Sequence, residues 1–155
     1  MTKLFLSLHV LAAIVTIGPV TVAASMFPPA LRRAHHGPGA PDALTTVRTL
    51  HRICRVYAGV GIAVPVFGFA TASSLGVLGS GWLTASIILT AAAAAVLALM
   101  ILPTQDRELT ALQDDGPRPD VPAAGRLAML TGVFNLLWAT VTVLMIIRPG
   151  STTGA

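Results

Sequence analysis

One imidazole stands alone in a long apolar stretch near the start of the chain. Residues 4–27 read LFLSLHVLAAIVTIGPVTVAASMF, and His9 is the only ionisable side chain among them. A histidine in such surroundings can hydrogen-bond neighbouring helices, ligate a haem iron or bind a quinone carbonyl. The sequence leaves open whether His9 only holds helices together or forms part of a ligand site.

Residues for other chemistry are sparse. The chain contains no GxSxG, HExxH or P-loop motif, and no paired carboxylates in its apolar stretches. Cys54 is the only cysteine, which excludes an internal disulfide and a CxxC metal site. His35 and His36 lie in a Gly/Pro-rich stretch without carboxylates or cysteines at metal-ligand spacing. The sequence therefore names no reaction, and whether the protein is an enzyme stays open.

The composition indicates an integral membrane protein. Hydrophobic residues make up 54% of the 155 residues and charged residues only 10%, against roughly 25% charged in soluble domains. Four uncharged runs, residues 4–27, 56–78, 81–102 and 127–147, reach the roughly 20 residues that cross a bilayer. We expect an all-α integral membrane fold, with residues 1–155 forming one antiparallel four-helix transmembrane bundle.

The first run has an alternative interpretation as a cleaved signal peptide. Residues 23–25, Ala-Ala-Ser, are small enough for a cleavage site. The run is longer than the usual hydrophobic core of a signal peptide, and only Lys3 precedes it. A membrane-spanning helix is the interpretation we adopt.

Positive charge predicts the orientation. The connection 28–55 carries five arginines and the connection 103–126 carries three, whereas only Lys3 and Arg148 lie on the other side. Both connections are therefore predicted to be cytoplasmic, with both termini outside a bacterial plasma membrane. Arg48, Arg52 and Arg55 share one helical face, predicted to bind anionic lipid headgroups or the acidic residues of the second connection. The alternative is that this face is a regulatory or partner-docking surface. The net charge of +4 is thus assigned to the membrane surface, not to nucleic acid.

Small and polar side chains follow helical spacing along one face of each apolar run, which favours helix packing through these faces. His9 lies on such a face, with Thr16 further along it, and is predicted to point towards the other helices. Depth, counted at about 1.5 Å per residue, places hydroxyls of the other three helices near His9. These hydroxyls belong to Ser73, Ser74, Ser86 and Thr142. The sequence predicts one polar layer that contains His9 and these hydroxyls.

Haem b is the cofactor that an intramembrane histidine suggests first. His51 precedes the second helix at the opposite face of the membrane, so His9 and His51 cannot share one iron. Met145 is the soft second ligand near the depth of His9, and Arg148 could neutralise a propionate. The residues predicted to contact a bound cofactor are His9, as the metal ligand, and Met145, Ser86, Thr142 and Trp138. A five-coordinate haem, or a quinone hydrogen-bonded to His9, fits the same residues.

Prolines and polar residues inside the runs predict interhelical hydrogen bonds. Pro19 and Pro65 should kink their helices, and neighbouring helices can satisfy the carbonyls that they free. Asn135 lies near Thr131 and Thr140 and is predicted to hydrogen-bond another helix.

Two stretches carry a family resemblance. The segments LHVLAAIVTIGPV and GWLTASIILTAAAAAVLALMILPTQDREL resemble an uncharacterised bacterial membrane family, domain of unknown function 2269. The first helix is also similar, more distantly, to that of haem-dependent protoporphyrinogen oxidases and copper-resistance membrane proteins. This resemblance implies an association of His9 with haem. Those oxidases also need a lysine in a later helix, and no lysine follows Lys3 here, so their reaction is not implied.

The expected function is that of a small multi-pass membrane protein acting as a structural or accessory subunit. It would work in a homo-oligomer or a larger membrane complex. The alternative is a haem- or quinone-binding membrane redox protein that uses His9.

Overall fold

The computed structural model describes residues 1–36, 41–114 and 121–150, and the regular structure in these ranges is entirely helical. The helices are α1 (Thr2–His36), α2 (Pro41–Val60), α3 (Ala63–Leu75), α4 (Gly81–Ala95), α5 (Leu102–Gln113) and α6 (Val121–Ile147). A π-helical turn, Val96–Ile101, joins α4 to α5. Residues 37–40 of the Gly/Pro-rich stretch, Arg118 and the side chain of His36 lie outside the described residues.

Within the described residues, four helical segments are long and apolar enough to cross a membrane: Thr2–His35, Asp42–Leu75, Gly81–Gln113 and Pro122–Ile147. The predicted all-α fold with four apolar helices is thereby confirmed. The first three segments have 34, 34 and 33 residues and run well beyond the predicted apolar runs. Much of the predicted connections 28–55 and 103–126 is therefore helix.

Pro28 and Pro29 lie inside α1, although the sequence suggested that a connection begins there. A proline has no N–H to donate to the carbonyl four residues before it, so Pro28 leaves the carbonyl of Ala24 free. The hydroxyl of Thr131 in α6 donates to this carbonyl over 3.4 Å. Pro28 is also fully buried, so packing and a hydrogen bond from another helix carry α1 through the two prolines.

The second segment is interrupted between α2 and α3. Pro65 cannot donate to the carbonyl of Gly61, and the N–H of Val64 donates to it instead over 3.1 Å. This shorter turn marks the kink that Pro65 predicts. In the third segment the π-helical turn comes just before Pro103, and there the N–H of Leu102 donates to the carbonyl of Leu97.

The helix contacts leave one side of the molecule open. Helix α1 packs against α2, α3 and α6, α4 packs against α6, and α5 packs against α2, whereas α3 and α4 hardly touch. The apolar core lies mainly where α1 ends and α6 begins, and includes Phe27, Leu31, Val47, Leu127 and Phe134. We call the end of the molecule where α1 ends and α6 begins the arginine-rich end, because most of the arginines lie there. The opposite end of the molecule is the terminal end.

Candidate functional site

His9 is held between α1 and α3. Its Nδ1 lies 2.9 Å from the carbonyl oxygen of Val64. A carbonyl can only accept, so Nδ1 of His9 is the donor in this contact. The ring also rests on Gly68, where an added Cβ would lie 3.0 Å from Cε1 and 3.2 Å from Nδ1. His9 therefore points towards another helix, as its position on the small face predicts.

The hydroxyls predicted to share a layer with His9 make no hydrogen bond to it in the described residues. Ser86 donates to Trp82 over 2.9 Å, and Thr142 donates to Trp138 over 2.9 Å, in both cases to a carbonyl of the same helix. Residues 73 and 74 are exposed, and so is Thr142. His9 instead contacts residues 64 and 68. These residues lie deeper in the run 56–78 than His9 does in the run 4–27, so counting from the ends of the two runs gives the wrong partners. Among the described residues the predicted layer is not formed.

The remaining predicted cofactor residues, Met145 and Trp138, make no contact with His9 in the described residues. Arg148 donates from Nε to the carbonyl of Met145 over 3.3 Å, and its guanidinium lies 5.7 Å from the ring centroid of Trp82. The Nε1 of Trp138 is buried without a hydrogen-bond partner. No contact found in the described residues joins His9 to these side chains, so a shared cofactor site stays a prediction. In the described residues, no three or more His, Cys, Asp or Glu side chains are arranged so that they could hold a metal ion.

The structure reveals a buried polar group at the arginine-rich end, which we call the Gln105 cluster: His51, Cys54, Gln105 and Asp106. Gln105 is fully buried and His51 nearly so. The Nδ1 of His51 lies 3.3 Å from Oε1 of Gln105, and Nε2 of Gln105 donates to the thiol of Cys54 over 3.8 Å. The Nε2 of His51 lies 3.5 Å from Oδ1 of Asp106. The cluster thus joins α2 to α5 through polar contacts.

Sequence reasoning missed the Gln105 cluster. A signal was present, because Val47, His51 and Cys54 lie at helical spacing on one face of α2. All three are buried, as that spacing would predict for a packed face. In the sequence alone, His51 suggests only a second haem ligand beside His9, which its position at the opposite face of the membrane excludes. The fully buried thiol is shielded from reagents, so the cluster fits helix packing better than nucleophilic chemistry.

A cleft of about 170 Å³ lies where α3 and α4 diverge. Its walls come from all four helical segments and are almost entirely apolar, and His9 is not among the lining residues. Polar or aromatic groups on the walls are those of Thr16, Tyr57, Thr90, Phe134 and Trp138. The sequence could not indicate this cleft, because its lining comes from all four helical segments and depends on how they pack.

The basic face of α2 is free to meet an outside partner. Arg48, Arg52 and Arg55 are exposed. None of them pairs with a carboxylate in the described part of the chain. Asp106, which could have neutralised them, is paired with His51 instead. The described residues show no contact between this face and the acidic second connection. Contact with anionic lipid stays a prediction.

Comparison with protein-family models, with curated proteins and with solved structures finds no match. The resemblance to domain of unknown function 2269 therefore stays a prediction.

Proposed function

We propose that this chain is a multi-pass membrane protein folded as an antiparallel four-helix bundle. Contacts between segments support the antiparallel arrangement. His9 meets residue 68 while Thr16 meets residue 61, so the first and second segments run in opposite directions. The start of the third segment and the end of the fourth also come together, at Trp82 and Arg148.

Insertion in a bilayer explains the surface. Large apolar side chains are exposed along the helices, including Leu99 at 73%, Leu136 at 70% and Ile146 at 75%. An apolar surface of this extent is rare on proteins that face water. Lipid tails cover it without cost, and helical segments satisfy their own backbone groups there.

The orientation follows from the arginines. The last turns of α1, the first turns of α2, the end of α5 and the start of α6 lie at the arginine-rich end. We place this end in the cytoplasm and both termini outside, in a bacterial plasma membrane. The unpaired face of Arg48, Arg52 and Arg55 then lies at the level of the cytoplasmic headgroups, where it binds anionic lipid.

The molecular role is that of a structural or accessory subunit, in a homo-oligomer or a larger membrane complex. One observation carries this proposal: three polar side chains of the apolar helices each hydrogen-bond another helix. His9 bonds Val64, Thr131 bonds Ala24, and Nδ2 of Asn135 bonds the Ser25 hydroxyl over 3.4 Å. Asn135 thus makes the interhelical bond predicted for it.

One measurement tests this role, and a second tests the orientation in the membrane. Native mass spectrometry of the protein in lipid nanodiscs should show a defined oligomer or a retained partner subunit. A monomer without a partner would contradict an accessory role.

The orientation is tested in a Cys54→Ala background with Thr49→Cys or Gly79→Cys and a membrane-impermeant maleimide. Position 79 should be labelled on intact cells and position 49 only after permeabilisation, and the reverse pattern would overturn the topology.

Haem binding through His9 is the second candidate, and one contact favours it. Metal-ligating histidines usually donate their other ring N–H to a carbonyl or carboxylate, which fixes the tautomer. The Nδ1 contact with Val64 does this and leaves Nε2 for iron. A visible spectrum of protein expressed with added haem tests the idea. A Soret band that His9→Ala removes would support it, and the absence of a band in the wild type would refute it.

A further inference from the structure

We propose that the cleft between α3 and α4 binds a lipid-soluble ring compound of the benzoquinone class, with a ring carbonyl as hydrogen-bond acceptor. His9 does not line this cleft, and the proposal goes beyond the structural role proposed above. Three properties of the cleft lead to this ligand class: its size and aromatic walls, its unpartnered polar groups, and its route of access.

The size suits a single ring. An apolar cavity of about 150 Å³ in a protein can hold benzene, and this cleft has about 170 Å³. Aromatic side chains form part of its walls. Phe134 and Trp138 meet edge to face, with centroids 6.3 Å apart and an interplanar angle of 71°. Tyr57 of α2 also lines the cleft. Flat aromatic walls favour a planar ligand.

Thr16 of the cleft wall donates to the carbonyl of Ala12, but three other polar groups of the walls lack acceptors. Threonine hydroxyls in these helices commonly donate to the carbonyl four residues earlier, as those of Thr140 and Thr142 do. Within the described residues, the hydroxyls of Thr90 and Tyr57 make no hydrogen bond. The buried Nε1 of Trp138 also has no partner, and an indole N–H can only donate. A ligand with carbonyl oxygens supplies what these groups lack.

The route of access is from the lipid. Helices α3 and α4 hardly touch, and the turn between α2 and α3 contributes Gly61 and Ile62 to the cleft lining. The residues at the opening, Ile62, Pro65 and Ala94, are exposed. In the proposed bilayer orientation this opening faces acyl chains, so the ligand must be soluble in lipid. The cleft lining contains no acidic or basic side chain, which disfavours a charged ligand.

The two tryptophans give a direct test. Trp82→Phe leaves Trp138 in the cleft wall as the reporter, and Trp138→Phe leaves Trp82 outside the cleft. Duroquinone is the probe, because its fully methylated ring quenches indole fluorescence without alkylating thiols. In nanodiscs we expect saturable quenching in Trp82→Phe, and only the linear quenching of membrane partition in Trp138→Phe. Linear quenching in both variants would overturn the proposal.

Matched variants separate binding in the cleft from binding elsewhere. Ala94→Leu fills the opening and should abolish the saturable phase in the Trp82→Phe background. Ala91→Leu adds the same side chain to an exposed position of α4 outside the lining and should leave the phase unchanged. Thr90→Val should weaken binding about fivefold, the value of one hydrogen bond. Saturable quenching that survives Ala94→Leu would contradict this site.

Competition with durene, the hydrocarbon of the same shape, tests the carbonyl requirement. Durene should displace duroquinone only at much higher concentration. Equal displacement would refute carbonyl recognition. None of these outcomes depends on the oligomer or topology measurements, so a failure here leaves the structural role standing.

Discussion

His9 of α1 and Gly68 of α3 fit together so closely that a Cβ at position 68 would lie 3.0 Å from Cε1 of the imidazole. The absence of a side chain at 68 lets the ring approach α3 and bring Nδ1 to the carbonyl of Val64. The contact combines close helix approach through a small residue with an interhelical hydrogen bond, the two devices by which helices associate in lipid.

Gly68→Ala should destabilise the protein by about 1 kcal/mol, because the added methyl group displaces a ring that is held by a hydrogen bond. Unfolding by SDS titration in mixed micelles measures the change. Gly59→Ala is the matched control, since nothing lies within 4 Å of a Cβ there. It should be neutral or slightly stabilising, because alanine favours a helix more than glycine does. Equal effects of the two variants would contradict the His9 contact.

Thr131→Val should cost about 1 kcal/mol, because it removes the donor for the carbonyl that Pro28 leaves free. Thr140→Val, which removes a hydroxyl bonded within its own helix, should cost less. In a Pro28→Ala background the new N–H can reach the carbonyl of Ala24, so Thr131→Val should become nearly neutral there. A cost that is the same in both backgrounds would show that the hydroxyl does not compensate for the proline.

Pro28 and Gln105 show how far the sequence predicts this fold. Four apolar helices follow from composition, because lipid requires long uncharged helical runs. The sequence also identified the inward face of His9 and the interhelical role of Asn135. It could not show that α1 continues through Pro28, since that depends on Thr131, which is distant in sequence. It also missed the Gln105 cluster, since one buried amide among charged neighbours becomes evident only when α2 and α5 pack.

Gln105→Leu should destabilise the protein by about 1–3 kcal/mol, because it leaves the buried Nδ1 of His51 without its acceptor. Thr104→Val is the matched control, since the hydroxyl of Thr104 bonds within its own helix. SDS titration measures the change in stability. The rate of maleimide labelling of Cys54, which is fully buried, is a second readout. Labelling should accelerate in Gln105→Leu and not in Thr104→Val. Fast labelling of the native wild type would contradict the burial of the cluster.

Replacing Arg48, Arg52 and Arg55 together by Gln should reduce retention of anionic lipid, because these exposed guanidinium groups have no carboxylate partner in the described residues. Native mass spectrometry from nanodiscs with mixed anionic and zwitterionic lipids counts the lipids that stay bound. Lys3→Gln with Arg148→Gln removes charge from the opposite end and should leave retention nearly unchanged. If the two sets of variants lose lipid equally, the arginine face of α2 is not a preferred site.

The most direct measurement of the central proposal, that His9 joins helices, is a double-mutant cycle between His9→Ala and Gly68→Ala in the ligand-free protein. We predict that Gly68→Ala is destabilising with His9 present and harmless without it, a coupling of about 1 kcal/mol. Additive effects, with the stability of the ligand-free protein unchanged by His9→Ala, would contradict a structural role for His9.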